Sequence, residues 1–496
     1  MKYIIGIDIG TSATKSVLFD LNCKEIASST VEYPLYQPKN GWAEQKPEDW
    51  WKAVCKTLSE ITVKAGGEIC AVGLSGQMHG LVMLDENDKV IRDAIIWCDG
   101  RTGEECGDIE RAVGRDNLVE ITGNPALPGF TASKIMWIKK HEPENYKRCK
   151  HILLPKDYIR FMLTGEYATD VSDASGMQLL DIKKRRWSKD VLDCLEIDER
   201  LLPKEYEGPD ISGYVSRTAA NLCGLPIGIP VAAGGGDNAA AAIGMGVCCN
   251  NKSFTTIGTS GVVYAHSDKP LIDKQGRVHT FCCAVPGEWH VMGVTQAAGL
   301  SLSWFKNQIA ENYTYSQIDK MSKKVPVGAD GLIYLPYLMG ERTPILDANA
   351  RGIFFGLSAM HSKAHLARAV LEGISYSLKN CLDVLKEMSI ETTDMALCGG
   401  GSKSDFWHQM IADVYGFPIK TMKYAEGPAL GAAILAGCAA GVFTTVQSCA
   451  EKVADIKSVK QPCKESCLAY EKNYSVYNKL YPALKSSFKL LAKTRE

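Results

Sequence analysis

The first thirty-odd residues show short apolar runs separated by turn residues. Residues 3–10, YIIGIDIG, form a run typical of a buried strand, and a glycine turn separates them from TKSVLFDL at 14–21. A third segment, KEIASSTVEYP at 24–34, completes a predicted meander of three strands. The chain is therefore expected to begin with a small antiparallel sheet.

Helical and strand patterns alternate after this meander. Residues 46–66 have the pattern of an amphipathic helix, with Pro47 and acidic residues at the start and Gly66 at the end. EICAVGLSGQ at 68–77 has the pattern of another buried strand. The second half repeats this alternation, with predicted helices over 363–388, 404–416 and 426–441. Between them lie a strand with a glycine loop over 395–401 and a short strand over 418–422. Such alternation indicates an α/β fold built in layers.

The length and one repeated tripeptide predict two domains. A chain of 496 residues is too long for one ordinary core. Gly-Thr-Ser occurs at 10–12 and again at 258–260, each time between two strand patterns, which suggests one hairpin used once per domain. We place the boundary near 247, giving domains 1–247 and 248–496.

Charge and composition narrow the possible partners. Fifty-six basic and 57 acidic residues give a net charge of −1, so no broad field attracts nucleic acid or an acidic membrane. Asp8 interrupts the first apolar run, and neither a leader nor a convincing membrane span is visible. The eighteen cysteines include no Cys-x-x-Cys pair and are expected to be reduced. A cytoplasmic protein without nucleic-acid or membrane partners is predicted.

Asp8 and the turn after it are candidates for phosphate chemistry. A tight glycine turn exposes N–H groups and hydroxyls that suit phosphate oxygens, and a nearby carboxylate suits Mg²⁺ through its water shell. Lys15 would add a positive charge, and Thr259 and Ser260 offer a matching loop in the second half. A hairpin with an edge aspartate is the alternative for the first loop taken alone. Two such loops facing each other across a cleft would clamp a polyphosphate, as in actin-like ATPases.

Asp237 is the one charged residue in the glycine- and alanine-rich run AAGGGDNAAAAIG. An unpaired carboxylate there would be costly to bury, so we interpret it as a proton acceptor for a hydroxyl nucleophile. The alternative is a carboxylate that caps the following alanine-rich helix. Gly399 and Gly400 follow a predicted strand and open a helix, where backbone can approach a ligand closely. A plain helix cap is the alternative for that glycine loop.

These segments together resemble the FGGY family of carbohydrate kinases over nearly the whole chain. GFTASKIMWIKKH at 129–141 and GIFFGLSAMHSKAHLARAVLEG at 352–373 are similar to the two signatures of that family. Within the family, other segments are similar to the branch that phosphorylates D-xylulose: SGQMHG (75–80), GWAEQKPEDWW (41–51), WCDGR (97–101), DVSDASGMQLLD (170–181) and LPYLMGERTP (335–344). Cys98 departs from the asparagine that is common at its position.

The resemblance implies two actin-like (RNase H-like) ATPase domains flanking a catalytic cleft, with ATP and Mg²⁺ as cofactors and a sugar as substrate. Asp237 would be the general base for the O5 hydroxyl of D-xylulose, and Asp8 the first-domain aspartate needed for activity, holding Mg²⁺ through water. The implied sugar contacts are Met78, His79, Asn238, Trp97 and Asp99. The implied ATP contacts are Thr11, Lys15, Thr259, Gly399, Gly400 and Ser404. A homodimer is the family expectation.

Two alternatives stay open at this point. Another kinase of the same family could act on ribulose or gluconate, although anionic gluconate requires a cation that Met78 and His79 do not supply. An actin-like regulatory ATPase would turn over ATP without any sugar. The chemistry of phosphoryl transfer, which depends on positioning, charge neutralisation and a proton acceptor, favours the kinase for this set of residues.

Overall fold

The computed structural model describes residues 1–423 and 427–494. Two mixed sheets of seven strands each form the centres of an α/β protein. Apolar runs such as those of the first two strands are buried because helices and neighbouring strands cover both faces of the sheet. The predicted α/β fold is confirmed.

The first half holds the strands of the first sheet and several short pairs. Its strands are β1 (Lys2–Ile9), β2 (Ala13–Asp20), β3 (Glu25–Glu32), β4 (Glu44–Gln45), β5 (Glu68–Gly76), β6 (Val82–Leu84), β7 (Ala94–Ile95), β8 (His151–Leu153), β9 (Ala168–Asp170), β10 (Leu180–Asp181), β11 (Arg186–Trp187), β12 (Lys204–Tyr206), β13 (Ile211–Tyr214), β14 (Pro230–Ala232) and β15 (Gly235–Gly236).

Its helices lie between and after these strands. They are α1 (Pro47–Thr62), α2 (Gly103–Val113), α3 (Arg115–Thr122), α4 (Thr131–His141), α5 (Pro143–Arg148), α6 (Pro155–Thr164), α7 (Val171–Ala174), α8 (Lys189–Leu195), α9 (Arg217–Cys223) and α10 (Asp237–Gly244), with short 3₁₀ turns at Ser175–Met177 and Glu199–Leu201.

The second half repeats the alternation. Its strands are β16 (Lys252–Ile257), β17 (Gly261–Ser267), β18 (His279–Cys282), β19 (Trp289–Thr295), β20 (Ile333–Leu335), β21 (Ile353–Phe355), β22 (Asp394–Gly399), β23 (Ile419–Met422) and β24 (Ile456–Lys460). Its helices are α11 (Gly299–Gln308), α12 (Tyr315–Ser322), α13 (Lys363–Glu387), α14 (Asp405–Tyr415), α15 (Gly427–Ala439), α16 (Val446–Val453) and α17 (Lys464–Lys493), with 3₁₀ turns at Ala329–Gly331 and Gly400–Lys403. Glu426, the first residue of the predicted helix 426–441, lies outside the described residues.

The two sheets share a topology. In the first, the strand order is β13-β14-β5-β1-β2-β3, with β15 also paired to β5. In the second, the order is β18-β19-β17-β16-β22-β23-β24. Each sheet has an antiparallel hairpin, β1–β2 or β16–β17, whose first strand runs parallel to the next long strand, β5 or β22. The two Gly-Thr-Ser segments are the turns of these hairpins, as the sequence predicted.

Two small-residue helices cross between the halves. Helix α15 packs against β1 and β5 of the first sheet, although it follows the second sheet in sequence. Helix α10 packs on α15 and shares a buried cluster with Phe254 and Ala396 of the second sheet. A Cβ on Gly73 would lie 1.9 Å from the carbonyl oxygen of Ala432, and one on Gly431 would lie 1.8 Å from that of Ala240. Glycine at these positions permits the close approach of α15 to the sheet and to α10. Packing therefore crosses the boundary placed near 247, and that boundary stays a prediction.

No helix in the described ranges is long and apolar enough to cross a membrane.

Candidate active site

Three parallel strands of the first sheet end side by side at one edge. Ile9 at the end of β1 pairs with Gly76 at the end of β5, and Gly76 also pairs with Gly236 of β15. Asp8, the segment Met78–His79 and Asp237 therefore meet at this edge. Ligands of open α/β sheets bind at the carboxyl ends of parallel strands, so this edge is where a site is expected.

A cavity of about 140 Å³ opens at this edge, between residues of both halves. Such a volume suits one small molecule. Polar and charged groups converge on one part of its wall and apolar side chains form the rest. The lining residues are Met78, His79, Trp97, Leu127, Gly129, Phe130, Asp237, Asn238, Ser260, Val262, Met292, Val294 and Arg342.

Asp237 is the first residue of α10 and faces this cavity. Its Oδ1 accepts hydrogen bonds from the backbone N–H and from Nδ2 of Asn238, at 2.6 and 2.9 Å. Burial raises the pKa of Asp237 to about 6, against the lowering effect of these hydrogen bonds. Gly236 is the residue that precedes the helix, and no cap of the helix by a side chain is made there. The carboxylate is thus an accessible base that is ionised at neutral pH.

His79 is held as a neutral hydrogen-bond acceptor. Its backbone has φ of +68°, and its carbonyl accepts from Thr131 Oγ1 and Lys134 Nζ at 3.1 and 2.7 Å. Nδ1 lies 2.7 Å from the carbonyl oxygen of Gly176, so Nδ1 carries the proton and donates it. Burial lowers the pKa of His79 to about 3. Nε2 therefore carries a lone pair that can accept a hydrogen bond.

A buried ionic cluster supports β15 and the segment that leads to Asp237. Lys156 Nζ lies 2.6 Å from Asp157, 2.9 Å from Asp170 and 3.5 Å from Asp173, and all four side chains are fully buried. Arg160 Nη1 lies 2.6 Å from Asp157. Burial raises the pKa of Asp173 well above its usual value; Lys156 opposes this shift, and the neighbouring carboxylates add to it.

Two hydrogen bonds connect this cluster to the segment 233–236, which precedes Asp237. Ser172 accepts from the backbone N–H of Gly236 at 3.1 Å, and its hydroxyl donates to Asp170. The Arg160 guanidinium donates to the carbonyl of Ala233. The segment 170–176, which the sequence associated with the family, thus acts mainly as a scaffold behind Asp237 and His79.

The first glycine loop lies beside the cavity. Asp8 pairs with Lys15 across the β1–β2 hairpin, and Ser75 Oγ donates to Asp8 Oδ1 at 3.2 Å. Trp97 Nε1 donates to Thr11 Oγ1 at 2.8 Å. Trp97 also lines the cavity, so this bond links the wall of the cavity to the loop.

Two further loops, those that follow β16 and β22, lie at one edge of the second sheet. Ile257 at the end of β16 pairs with Gly399 at the end of β22, which brings Thr259 and Gly400 to the same edge. The start of α11 fixes the first of these loops, because Gly299 N–H donates to Gly258 O at 2.8 Å. Gly399 has φ of +77°, and a Cβ there would lie 2.6 Å from Ile257 O. Glycine is required at this position.

Ser404 and Asp99 have local partners in the structure. Ser404 Oγ accepts from Trp407 N–H at 3.0 Å and caps α14. Asp99 is 2% exposed and does not line the cavity. Its carboxylate accepts from Arg101 Nη2 at 2.7 Å and from Ala43 N–H at 2.5 Å. The structure therefore places Asp99 in the support of the 97–101 segment and not in the sugar pocket, because a local arginine and a backbone amide occupy its oxygens.

Sequence reasoning missed one charged group of the cavity wall, Arg342, which lies in the segment 335–344. Ser260, which follows Thr259 in the second hairpin turn and was a candidate for the phosphate loop, also lines the cavity. The signal for Arg342 was present, since a lone cation stands in that mostly apolar segment beside Glu341. The direction of the Arg342 side chain depends on tertiary packing, which the local pattern does not encode.

The comparisons with known proteins agree with this geometry. Residues 3–244 match the N-terminal domain of the FGGY family of carbohydrate kinases, and residues 254–440 match its C-terminal domain. The chain belongs to this family, and it is a sugar kinase of the actin-like ATPase fold.

Individual relatives carry more specific names. The chain is 40% identical over 484 residues to a xylulose kinase of Bacillus subtilis, covering 97% of each chain. A ligand-bound xylulose kinase structure from Lactobacillus acidophilus is 31% identical with a TM-score of 0.95, covering 99% of this chain and 100% of that one. A gluconate kinase structure from Lactobacillus acidophilus is 32% identical with a TM-score of 0.94, covering 99% of each chain.

Proposed function

We propose that the protein transfers the γ-phosphoryl group of ATP to the O5 hydroxyl of D-xylulose, giving D-xylulose 5-phosphate in D-xylose catabolism. The observation that carries this proposal is the cavity that Asp237, Met78 and His79 share with Ser260 of the second phosphate loop. Its volume of about 140 Å³ suits a small sugar. The name of the Bacillus subtilis relative supports the choice of sugar.

Asp237 and its neighbours would prepare the sugar for attack. A hydroxyl is a poor nucleophile, and a carboxylate within hydrogen-bond reach can take its proton as the bond to phosphorus forms. With a pKa of about 6, Asp237 is ionised at neutral pH and is a stronger base than an ordinary aspartate. His79 Nε2 would accept from one sugar hydroxyl, and Asn238 holds the Asp237 carboxylate in place.

ATP would bind between the two hairpin turns. Thr11 and Lys15 on one side and Thr259 on the other would contact phosphate oxygens, with Gly399 and Gly400 on the adenosine side. The Asp8 carboxylate, at a strand end beside a phosphate loop, fits Mg²⁺ held through water. When bound, Mg²⁺ neutralises charge on the phosphates. The chain's own part is to align the γ-phosphoryl group with the hydroxyl at Asp237 and to exclude water.

Arg342 gives a specific reason to consider a second candidate function. An aldonate such as gluconate requires a cation in the sugar pocket, and the guanidinium of Arg342 lines the cavity. Similarity of fold does not separate the two sugars, since a xylulose kinase structure and a gluconate kinase structure resemble this chain about equally.

One acceptor panel tests both candidates. We expect D-xylulose to give the highest kcat/KM among D-xylulose, D-ribulose, D-gluconate and glycerol when ADP release is measured. ADP release without sugar should be far slower. EDTA should abolish turnover, and Mg²⁺ alone should restore it. Higher kcat/KM with gluconate or ribulose would reject the D-xylulose proposal, and sugar-independent turnover at the full rate would favour a regulatory ATPase.

Two further expectations remain proposals. We place the protein in the cytoplasm, where ATP is available, and expect a homodimer. Cell fractionation tests the first expectation, and light scattering of the purified protein tests the second.

A further inference from the structure

Arg342 places a positive charge in the wall of the sugar cavity. It lies in the segment between β20 and β21 and is only partly exposed. Within residues 1–423 and 427–494, no carboxylate forms an ion pair with its guanidinium, and no hydrogen bond from the guanidinium is made. A guanidinium has five N–H donors, and leaving them unused in a partly buried site is costly. This arrangement indicates a ligand that supplies the acceptors.

The adjacent Glu341 does not neutralise Arg342, because its carboxylate is used elsewhere. Oε2 accepts from Thr295 Oγ1 at 2.5 Å, and Oε1 accepts from Gln296 N–H at 2.8 Å. Oε1 also accepts from the backbone N–H of Arg342 at 2.8 Å. Glu341 is 4% exposed, so these bonds fix the backbone of the segment to β19. They leave the Arg342 side chain directed to the cavity.

Arg342 lies on the side of the cavity formed by Gly129 and His79. A Cβ on Gly129 would lie 3.4 Å from Arg342 Nη2, and Gly129 also lines the cavity. The charge of Arg342 contributes to the lowered pKa of His79, after burial and Lys134. Asp237 lines the same cavity at the start of α10. A ligand in the cavity can therefore contact the cation and the carboxylate at the same time.

We propose that Arg342 is a specificity-determining residue that donates hydrogen bonds to the oxygen atoms at the end of the sugar remote from the phosphorylated hydroxyl. This inference rests on the proposed function, in which those oxygens are the C1 hydroxyl and the C2 ketone of D-xylulose. Two neighbouring oxygen acceptors match the planar fork of a guanidinium. The hydroxyl at the other end then lies at Asp237.

The test compares Arg342→Met and Arg342→Lys with the wild type on D-xylulose and on 1-deoxy-D-xylulose, which lacks the C1 oxygen. In the wild type, kcat/KM should be about 10- to 100-fold lower for the deoxy sugar, since a hydrogen bond to a charged group is lost. In Arg342→Met, kcat/KM for D-xylulose should fall by about the same factor, chiefly through KM. The preference between the two sugars should then nearly vanish. Arg342→Lys should recover part of that preference.

The control is Arg200→Met, which removes a side chain that is 90% exposed. It should leave kcat/KM unchanged for both sugars. A wild-type preference that persists in Arg342→Met would overturn the proposal. An equal loss of kcat for both sugars would also overturn it, because Arg342 would then act on the phosphoryl group. Thermal melting shows whether Arg342→Met is folded, and Arg342→Lys decides if it is not. If the wild type prefers another acceptor, the proposed function fails, and the same comparison is made with that acceptor and its analogue lacking the remote oxygen.

Discussion

Asp237→Asn should lower kcat on D-xylulose by roughly 10²- to 10⁴-fold, because the amide keeps the shape of the side chain and cannot take a proton. The contacts of Asn238 with the remaining oxygen can still form. The binding of ATP should change little, since its proposed contacts lie in the loops at Gly10, Gly258 and Gly399. Steady-state kinetics and calorimetric titration with ATP measure these two quantities separately.

An exposed carboxylate provides the control for this substitution. Asp268→Asn makes the same carboxylate-to-amide change at an exposed residue that does not line the cavity, and it should retain full turnover. A raised KM with unchanged kcat in Asp237→Asn would mean that Asp237 binds the substrate and the transition state equally well, and that it has no specific role in the transition state. Wild-type turnover by a folded Asp237→Asn variant would remove this residue from the mechanism.

Lys156→Met should lower the free energy of unfolding by about 3–5 kcal/mol, because breaking a buried ion pair leaves uncompensated charge. Lys156 contacts Asp157, Asp170 and Asp173 with no exposure to solvent, and Arg160 alone would remain as a cation. Urea denaturation measures the change. The loss should shrink at lower pH, since carboxylates without Lys156 have raised pKa values and the folded variant takes up protons as the pH falls.

Lys147→Met is the matched control, because that side chain is 70% exposed and its partner Glu144 is 80% exposed. Its effect should lie within about 0.5 kcal/mol. A Lys156→Met loss that is small, or that is the same at every pH, would mean that the cluster does not depend on this cation.

Local patterns predicted those parts of the fold that depend on neighbouring residues. The hairpin turns at 10–12 and 258–260 and the helix that begins at Pro47 follow from turn chemistry and spacing, and the structure confirms them. The packing of α15 against the first sheet, and of α10 against α15, was not predicted. It depends on contacts such as Gly431 against Ala240, which are remote in sequence and made of residues with little periodic signal.

The residues of the candidate site also fall into two groups, those that the local sequence predicts and those whose position depends on packing. Asp8 and Met78 lie at the ends of predicted strands, whereas Asp237 follows the short strand β15, which was not predicted; the parallel pairing of these strands brings their ends together. Asp99 was assigned to the sugar pocket because its segment resembled a family motif, whereas Arg101 and Ala43 occupy its oxygens. Arg342 was missed because the direction of its side chain depends on where Glu341 is held.

The pH dependence of kcat/KM in the wild type and in Asp237→Asn tests the central claim, that Asp237 is the base, most directly. The base must be ionised, so wild-type kcat/KM should fall about tenfold per pH unit below a pH of about 6. His79, with a pKa of about 3, does not titrate in this range. Burial raises the pKa of Glu341 to about 7, and because both proteins contain Glu341, its titration affects both pH profiles alike. The residual activity of Asp237→Asn should lack the limb near pH 6. An acid limb that remains unchanged in Asp237→Asn would contradict the account, because the proton acceptor would then be another group.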